Sequence, residues 1–512
     1  MPRYAAIDIG SNSVRLLVAE IGADGQMKVL ADERTVIRLG ESVFRQGFLS
    51  AEALDDLTAV LVRMATIIRQ HDLDGMRVVA TSAVRDASNQ QEFRDRVASA
   101  IGAPVEIISG LEEARLIHLG VQARWPGLKQ RALIIDVGGG SAEIILSEGQ
   151  ALKAAFSKPL GAVRLKEVFL QHDPPQAVEL RRLEEYIAEK VRPALERIGT
   201  APFERAIGTS ATAAALVCAI HRIPRARREQ ADRLKVTRQQ VRRLYLDLSG
   251  KDLAQRRKQV GVGPRRAEII VPGVAVFDRV MEMFRLPSLF YSTAGVRDGV
   301  IADLAQRRVG RERSLLDREQ RRVVEQMARR YGVSVPHARQ VAALAHRLFE
   351  ILQPLHKLPP PAGRLLEAAA YLHDIGHYIS DSAHHKHSAY IVANSPMPGF
   401  TVAERHLIAM LCRFHRKSMP AGKHEAVQDM TPEDRRTLLY LVPLLRLADS
   451  LDRSHSQLIQ QVDCECRNGA VALRVTAGAG VDLDLWAAER VADVFRQVYG
   501  CELTLRSERG SP

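Results

Sequence analysis

Strand-like and helix-like patterns alternate along the first half of the chain. Short apolar runs predict strands at residues 4–9, 14–20, 77–80 and 105–108, and apolar residues at helical spacing predict helices at residues 51–70 and 111–123. From residue 131 the pattern starts again, with predicted strands at residues 132–136, 142–147 and near residues 206–207. Strands that alternate with helices indicate an α/β fold.

The pattern changes after residue 308. Residues 311–443 are predicted to be mostly helical, interrupted by a loop at Pro359, Pro360 and Pro361, and residues 471–506 predict a strand, a helix and a strand. A single hydrophobic core stops growing well below 512 residues. We therefore predict four domains, at residues 1–127, 128–305, 306–465 and 466–512.

A Gly-rich turn occurs twice, each time after an aspartate that ends an apolar run. Asp8 precedes Gly10, Ser11, Asn12 and Ser13, and Asp136 precedes Gly138, Gly139, Gly140 and Ser141. An apolar strand follows each turn. The repetition predicts two related α/β halves, the alternative being two unrelated hairpin turns.

Both turns have the chemistry of a phosphate site. Glycine leaves room for an anion, and consecutive backbone N–H groups in such a turn converge on it. Asp8 and Asp136 end buried strands, where a carboxylate needs a partner, and Glu143 lies just past the second turn. An oxygen-liganded Mg²⁺ or Mn²⁺ supplies that partner, so these three residues are the candidate metal ligands.

The charge of the chain favours an anionic partner. The 73 Lys and Arg residues exceed the 60 Asp and Glu residues, which gives a net charge of +13. Hydrophobic residues make up 46% and charged residues 26%, values that exclude wholesale disorder. Basic clusters at residues 221–243, 256–258, 265–266 and 307–330 are either solvated helix faces or the edge of a cleft that attracts a polyanion.

Nothing in the sequence predicts a membrane or secretory location. No apolar run reaches the roughly 20 residues needed to span a bilayer, and the first residues lack the pattern of a secretory signal. The five scattered cysteines are interpreted as reduced thiols. We expect a cytoplasmic protein without a membrane partner.

Several segments of the sequence resemble those of a known protein family. Residues 6–19 and 133–146 resemble the two phosphate-binding hairpins of the actin, sugar-kinase and heat-shock ATPase superfamily. Residues 80–89, 108–116, 207–212, 271–273 and 294–299 are similar to segments of the exopolyphosphatase and guanosine pentaphosphate phosphohydrolase family, and residues 385–400 and 413–417 resemble its long members. The resemblance implies two actin-like (ribonuclease H-like) domains, an all-helical HD-like domain and a small α+β segment.

The resemblance also assigns roles in catalysis. It implies that Glu113 activates the attacking water and that Arg85 contacts phosphate; the alternatives are a helix-capping carboxylate for Glu113 and a surface ion pair with Asp86 for Arg85. Ser210 and Thr212 lie in a turn that could bind one end of the phosphate, although Ala211 stands where the family usually has glycine.

A second metal site is suggested in the helical part. His337, His373, Asp374 and Asp449 follow the order of an HD-type metal phosphohydrolase, and His377, His406 and His415 are candidates to extend the site. Such residues on separate helices can converge on one or two divalent ions. The alternatives are histidines that cap helices or satisfy the core, and a vestigial site.

Three functions fit these features. The first is an exopolyphosphatase that releases orthophosphate from inorganic polyphosphate, and the second is the same chemistry on guanosine pentaphosphate. The aromatic content of 5% offers few stacking residues for a base and favours the first. The third, a non-catalytic polyanion- or RNA-binding regulator, is disfavoured by the intact carboxylates. A sugar kinase is disfavoured because this sequence shows no adenosine-binding signature beyond the two hairpins. The resemblance further implies a homodimer.

Overall fold

The computed structural model describes residues 1–22, 25–125, 130–309, 314–420, 424–428, 430–467, 470–478 and 480–509. The chain divides into an N-terminal unit, Met1–Arg307, and a C-terminal unit, Arg308–Pro512. The predicted boundary at 127/128 lies outside the described residues. The division into four domains stays a prediction.

Two sheets organise the N-terminal unit. The first has the strand order β3-β2-β1-β4-β5, with β1 Arg3–Ile9, β2 Ser13–Ile21, β3 Met27–Val36, β4 Gly75–Ala80 and β5 Val105–Ile107. The second has the order β8-β7-β6-β9-β11-β10, with β6 Arg131–Val137, β7 Ala142–Glu148, β8 Ala151–Lys158, β9 Arg205–Thr209, β10 Lys235–Thr237 and β11 Ser288–Tyr291.

The two sheets repeat one topology. In the first sheet β1, β2 and β3 form an antiparallel meander, and β4 and β5 add in parallel beside β1. In the second sheet β6, β7 and β8 form the same meander, and β9 and β11 add in parallel beside β6. The prediction of two related halves from the repeated turn is therefore confirmed.

Helices cover both faces of these sheets. They are α1 Leu39–Gln46, α2 Ala51–Ile68, α3 Ser82–Asp86, α4 Gln90–Ile101, α5 Gly110–Arg124, α6 Ala162–Phe169, α7 Ala177–Ile198, α8 Ser210–His221, α9 Arg238–Ser249, α10 Leu253–Lys258, α11 Ile270–Met283 and α12 Val296–Val309, with a 3₁₀ helix at Arg225–Ala231. Successive residues of β1 enter different cores: Ile7 and Ile9 lie in one, and Tyr4 and Ala6 in another. Burial on both faces explains why the central strands read as continuous apolar runs.

The C-terminal unit begins with helices and ends with a small sheet. The helices are α13 Arg318–Arg330, α14 Val335–Ile351, α15 Gln353–His356, α16 Pro361–Leu372, α17 His384–Asn394, α18 Val402–Phe414, α19 Glu425–Gln428 and α20 Pro432–Ser450, with a 3₁₀ helix at Ile375–Tyr378. The sheet has the order β12-β13-β14, with β12 Ile459–Arg467, β13 Ala470–Ala477 and β14 Glu502–Arg509, and α21 Asp482–Glu489 and α22 Ala492–Tyr499 lie between β13 and β14.

The structure adds to the predicted end of the chain. Two helices stand where one was predicted, and β12 was missed. β12 runs through residue 465, where the sequence analysis places a domain boundary, and it pairs antiparallel with β13. In the described part of the chain, no helix combines the length and the apolar character needed to cross a bilayer.

Candidate active site

The two repeated turns have the same geometry. In the first hairpin Asp8 lies opposite Arg15, and the Gly10 N–H donates to the Ser13 carbonyl oxygen over 3.1 Å. In the second hairpin Asp136 lies opposite Glu143, and the Gly138 N–H donates to the Ser141 carbonyl oxygen over 3.0 Å. Each turn therefore presents an aspartate and a set of backbone groups in equivalent positions.

The glycines let the two turns meet. A Cβ atom added at Gly140 would lie 2.5 Å from the hydroxyl oxygens of both Ser11 and Ser82. One added at Gly139 would lie 3.2 Å from the backbone nitrogen of Asn12. Because atoms cannot approach that closely without a shift, side chains at these positions would push the turns apart.

Between the turns lies a cleft of about 410 Å³. Twelve of the predicted site residues line it: Asp8, Gly10, Ser11, Asn12, Ser13, Glu113, Asp136, Gly138, Gly139, Gly140, Ser141 and Ser210. Arg85 and Thr212 donate hydrogen bonds to the lining residues Glu113 and Val137, and Glu143 lies opposite Asp136 in the hairpin. The Thr212 hydroxyl donates to the Val137 carbonyl oxygen over 2.7 Å, so its predicted phosphate contact stays a prediction.

Four carboxylates lie close enough to repel one another. Burial raises the pKa of Asp8, and it raises the pKa of Glu113, to which the charge of Asp8 adds. Burial, with the charges of Glu113 and Asp8, raises the pKa of Asp136 to about 7. Burial, then Glu113 and Asp136, raises the pKa of Glu143 well above its ordinary value. Such a cluster is stable in its ionised form only beside a cation.

Glu143 carries the most direct sign of a cation site. One of its oxygens accepts a hydrogen bond from the Ser157 hydroxyl over 2.8 Å, and Oε2 is buried with no hydrogen-bond partner. The ligand oxygens of Asp8, Asp136 and Glu143 do not all lie within 4.8 Å of one another. The arrangement fits a Mg²⁺ that binds through one or two carboxylates and completes its shell with water and phosphate oxygens.

Two adjacent glutamates at the start of α5 have different surroundings. Arg85 Nη1 donates to Glu113 Oε2 over 3.0 Å and to the Ile108 carbonyl oxygen over 2.7 Å, which orients the Glu113 carboxylate. Burial would raise the pKa of Glu112, but Arg115 and Arg77 lower it below its ordinary value. Glu112 therefore belongs to a buried ion-pair network, whereas Glu113 faces the cleft.

Arginines also line the cleft. Arg15, Arg34, Arg228 and Arg266 all line it. Burial, together with repulsion from neighbouring arginines, lowers the pKa of Arg34 to about 8 and that of Arg266 to about 9. Arg34 Nε is buried without a hydrogen-bond partner. A bound anion would relieve the repulsion among these arginines, so the cleft favours anionic ligands.

The sequence indicated only some of these arginines. Arg228 and Arg266 belong to basic clusters that it singled out, but Arg15 and Arg34 were missed. The available signal was the register: Arg15 occupies in the first hairpin the position that Glu143 occupies in the second.

The backbone of this turn explains why alanine is tolerated at position 211, where the family usually has glycine. The left-handed backbone position in this turn is Ser210, with φ +83°, and not Ala211. The Ser210 hydroxyl holds the strained turn, because it donates to the Val137 carbonyl oxygen over 2.9 Å and accepts from the Thr212 N–H over 3.2 Å.

The predicted HD-type residues converge within the C-terminal unit. His373 Nε2 lies 3.3 Å from Asp449 Oδ1 and 3.6 Å from Asp374 Oδ2. His337 Nε2 lies 3.7 Å from Asp449 Oδ1 and 3.9 Å from Asp374 Oδ2, and it is buried without a hydrogen-bond partner. This donor set fits a divalent metal ion.

Comparison with known proteins identifies the family. The pattern of the Ppx/GppA phosphatase family matches residues 17–308, and that of Ppx/GppA phosphatase domain III matches residues 320–485. The chain belongs to the Ppx/GppA phosphatase family. The resemblance inferred from the motifs is thereby confirmed, and the chain is a hydrolase of phosphoanhydride bonds, as predicted.

Relatives of this Ppx/GppA protein extend over the whole chain. It is 28% identical to a guanosine-5'-triphosphate,3'-diphosphate pyrophosphatase of Vibrio parahaemolyticus, over 98% of both chains. It is 29% identical to the protein of the same name from Vibrio vulnificus, over 97% of this chain and 96% of that one.

Solved structures support the fold. An exopolyphosphatase from Cytophaga hutchinsonii is 27% identical with a TM-score of 0.55, over 59% of this chain and 98% of that one. A Ppx/GppA family member from Aquifex aeolicus is 28% identical with a TM-score of 0.52, over 60% of this chain and 98% of that one. The predicted actin-like α/β fold is thereby confirmed.

Proposed function

We propose that this protein is an exopolyphosphatase, which hydrolyses the terminal phosphoanhydride bond of inorganic polyphosphate and releases orthophosphate. The observation that carries the proposal is that one cleft is lined both by a cluster of buried carboxylates and by a cluster of arginines. A chain of phosphates needs both: a reactive end held near a base and a metal, and cationic groups along the remaining anion.

The reaction follows from the positions of three groups. Glu113 accepts a proton from the water whose oxygen attacks the terminal phosphorus, and the bond from that phosphorus to the leaving phosphate oxygen breaks. The raised pKa of Glu113, due to burial and then Asp8, makes it a stronger base at neutral pH. Backbone N–H groups of the two turns donate to the phosphoryl oxygens, and Arg85 orients Glu113.

A divalent ion belongs to the carboxylate cluster. Asp8, Asp136 and Glu143 would hold Mg²⁺ or Mn²⁺ there, as the unpartnered Glu143 Oε2 supports. When bound, the ion neutralises charge on the phosphate oxygens. Arg85 would contact phosphate in addition to holding Glu113, and Ser210 and Thr212 would lie near one phosphate end.

The lining favours a phosphate chain over a nucleotide. Among the described residues that line the cleft, Tyr291 is the single aromatic one, so a base finds no pair of stacking partners. The second candidate is guanosine pentaphosphate. It is favoured by the names of the Vibrio relatives, which align with nearly the whole chain.

Three further assignments extend the proposal. The helical part of the C-terminal unit is HD-like and holds a divalent ion through His337, His373, Asp374 and Asp449, as the distances among these residues support. The protein acts in the cytoplasm. It forms a homodimer, as the family resemblance implies.

Substrate profiling tests the choice between the two substrates. Phosphate release by the purified full chain is measured with long polyphosphate and with guanosine pentaphosphate, each with Mg²⁺ and with a chelator. We expect a higher kcat/KM for polyphosphate and loss of both activities in chelator. A higher kcat/KM for the nucleotide would reverse the order, and binding of polyphosphate without any phosphate release would favour the regulator.

Adjacent glutamates provide a matched test of the base. Glu113→Gln should lower kcat by about 10²–10⁴-fold with polyphosphate binding retained, because the amide cannot accept the proton. Glu112→Gln should retain kcat in the folded protein and lower the melting midpoint, because it weakens the ion pairs with Arg115 and Arg77. Near-normal turnover of Glu113→Gln would remove Glu113 as the base.

A further inference from the structure

Arg164, on α6, joins the two related halves of the N-terminal unit. In its own half, Arg164 Nε donates to the Gly140 carbonyl oxygen over 2.8 Å. In the other half, its Nη2 donates to the Ser82 hydroxyl oxygen over 3.1 Å and to an Asp86 carboxylate oxygen. Its guanidinium carbon lies 4.0 Å from the centre of the Phe44 ring. These four contacts fix the guanidinium plane, although Arg164 is not one of the described residues that line the cleft.

The contact with Gly140 determines how the second turn presents its donors. The first two N–H groups of α6 bind the carbonyl oxygens of Gly138 and Gly139 over 3.0 Å and 2.9 Å, and the Arg164 side chain binds the third, that of Gly140. Across a planar trans peptide, the N–H of the next residue points away from the carbonyl. The N–H groups of residues 139–141 therefore point away from α6, and in the described part of the chain they have no backbone hydrogen-bond partner.

The contacts with α3 reach the proposed base. α3 spans Ser82–Asp86, so Arg164 binds its first and its last residue. The sequence left an ion pair between the neighbours Arg85 and Asp86 as an alternative. In the structure Asp86 pairs with Arg164, and Arg85 pairs with Glu113. Arg164 thus holds the short helix from which Arg85 orients the Glu113 carboxylate.

We propose that Arg164 is a positioning residue for phosphoanhydride hydrolysis. It fixes the N–H donors of the second turn relative to the Arg85–Glu113 pair of the other half. The donors then meet the phosphoryl oxygens at the place where Glu113 holds the attacking water. This inference rests on the function proposed above and adds a residue that acts through Gly140 and α3.

The contacts require a guanidinium group. Its donors lie in one rigid plane, so one side chain serves a carbonyl, a hydroxyl and a carboxylate in fixed directions while its face packs on an aromatic ring. The lysine ammonium is a point charge on a flexible stem and cannot serve three separated acceptors in this way. Arg164→Lys therefore keeps the charge and most of the packing but loses the positioning.

Arg45 provides a matched control. It lies on α1, the helix of Phe44, and pairs with Glu167 on α6, the helix of Arg164. Its ion pair thus joins the same two helices. In the part of the chain that the structure describes, Arg45 makes no hydrogen bond to the second turn or to α3. Arg45→Ala therefore weakens the same contact between the halves and leaves the positioning intact.

Steady-state phosphate release from polyphosphate in Mg²⁺ tests the proposal on the full chain. Arg164→Ala should lower kcat about 10²-fold, the cost of misplacing reacting groups by about 1 Å. Its KM should stay near the wild-type value, because the arginines that line the cleft remain. Arg45→Ala should keep the wild-type kcat and KM. Millimolar guanidinium should restore part of the kcat of Arg164→Ala, since the free ion fits over Phe44, and should not change the wild type.

Arg164→Lys covers the case in which the alanine variant does not fold, and it should also lower kcat at an unchanged KM. Wild-type turnover of either variant would overturn the proposal, and so would a higher KM at unchanged kcat, which would make Arg164 a substrate contact. A loss of kcat that Arg45→Ala shares, or that guanidinium does not restore, would mark a general structural effect and overturn it as well. Absence of phosphate release by the wild type would instead overturn the proposed function.

Discussion

Replacing Asp136 by asparagine should stabilise the free protein while it destroys the activity. The Asp136 carboxyl is buried, and burial together with the charges of Glu113 and Asp8 outweighs the opposing charge of Arg15 and raises its pKa to about 7. An ionised carboxylate in this place is therefore less favourable in the folded than in the unfolded chain. The asparagine side chain has nearly the same shape and no charge, so the variant relieves the repulsion.

The magnitude follows from the difference between an ordinary pKa of 3.8 and one of about 7. At 1.36 kcal/mol for each unit of pKa difference, this carboxyl lowers the free energy of unfolding of the wild type by up to ~4 kcal/mol at pH 8, where it is ionised in both states. At pH 5 the unfolded carboxyl is ionised and the folded one protonated, so the loss is only ~2 kcal/mol. The advantage of Asp136→Asn should thus grow as the pH rises from 5 to 8.

Calorimetric unfolding in EDTA measures this advantage as a higher melting midpoint of Asp136→Asn, larger at pH 8 than at pH 5. Mg²⁺ should raise the midpoint of the wild type more than that of the variant, because the ion compensates the same charge. A lower midpoint of the variant at pH 8, or an advantage independent of pH, would refute the picture of mutually repelling carboxylates.

Asp303→Asn provides the control with the opposite sign. Asp303 is also buried, but Arg115, Arg307 and Arg77 outweigh the effect of burial and lower its pKa. Its ionised form stabilises the fold at every pH above the unfolded pKa, and this contribution is lost as the pH falls through the folded pKa. Removing it at pH 7 should cost about 3–5 kcal/mol, because two buried arginines lose a partner.

Three further outcomes are expected. Arg34→Ala should raise the KM for polyphosphate about tenfold and reduce the salt dependence of that KM, which phosphate release at several ionic strengths measures. The control Arg181→Ala, on the exposed face of α7, should change neither the KM nor its salt dependence. Gly140→Ala should lower kcat/KM by at least about 10²-fold in a folded protein, since its Cβ would lie 2.5 Å from two serine hydroxyls; normal kinetics would contradict the close approach of the turns. At low Mg²⁺, activity should fall as the pH drops below about 7, because Asp136, whose pKa is raised to about 7, takes up a proton. Saturating Mg²⁺ should move that fall to lower pH; an unchanged profile would argue against a metal ion at this carboxylate.

The strands that could be predicted are those whose burial requires mostly apolar residues. β1 and β6 were predicted to within about a residue at each end, because both of their faces are buried and most of their residues are apolar. β3 and β8 were missed because much of each strand is half-buried or exposed, and polar residues interrupt the alternation. Their place in the fold comes from pairing with β2 and β7, which no local pattern specifies.

The site could be predicted where its residues share a local motif. The two turns and Glu113 lie within short segments, and their positions around one cleft follow from the topology. Arg34 could not be found in this way, since it reaches the cleft from β3, a strand that the sequence did not reveal.

The repeated fold explains why charges of both signs line the cleft. In one hairpin the residue opposite the aspartate is Arg15, and in the other it is Glu143. Arg15 in turn pairs across the sheet with Arg34 of β3. A duplicated frame with one exchanged charge thus brings arginines as well as carboxylates into one cleft. Such a cleft gives a phosphate chain a direction, because its reactive end needs the metal and the base, and its remaining charges need the arginines.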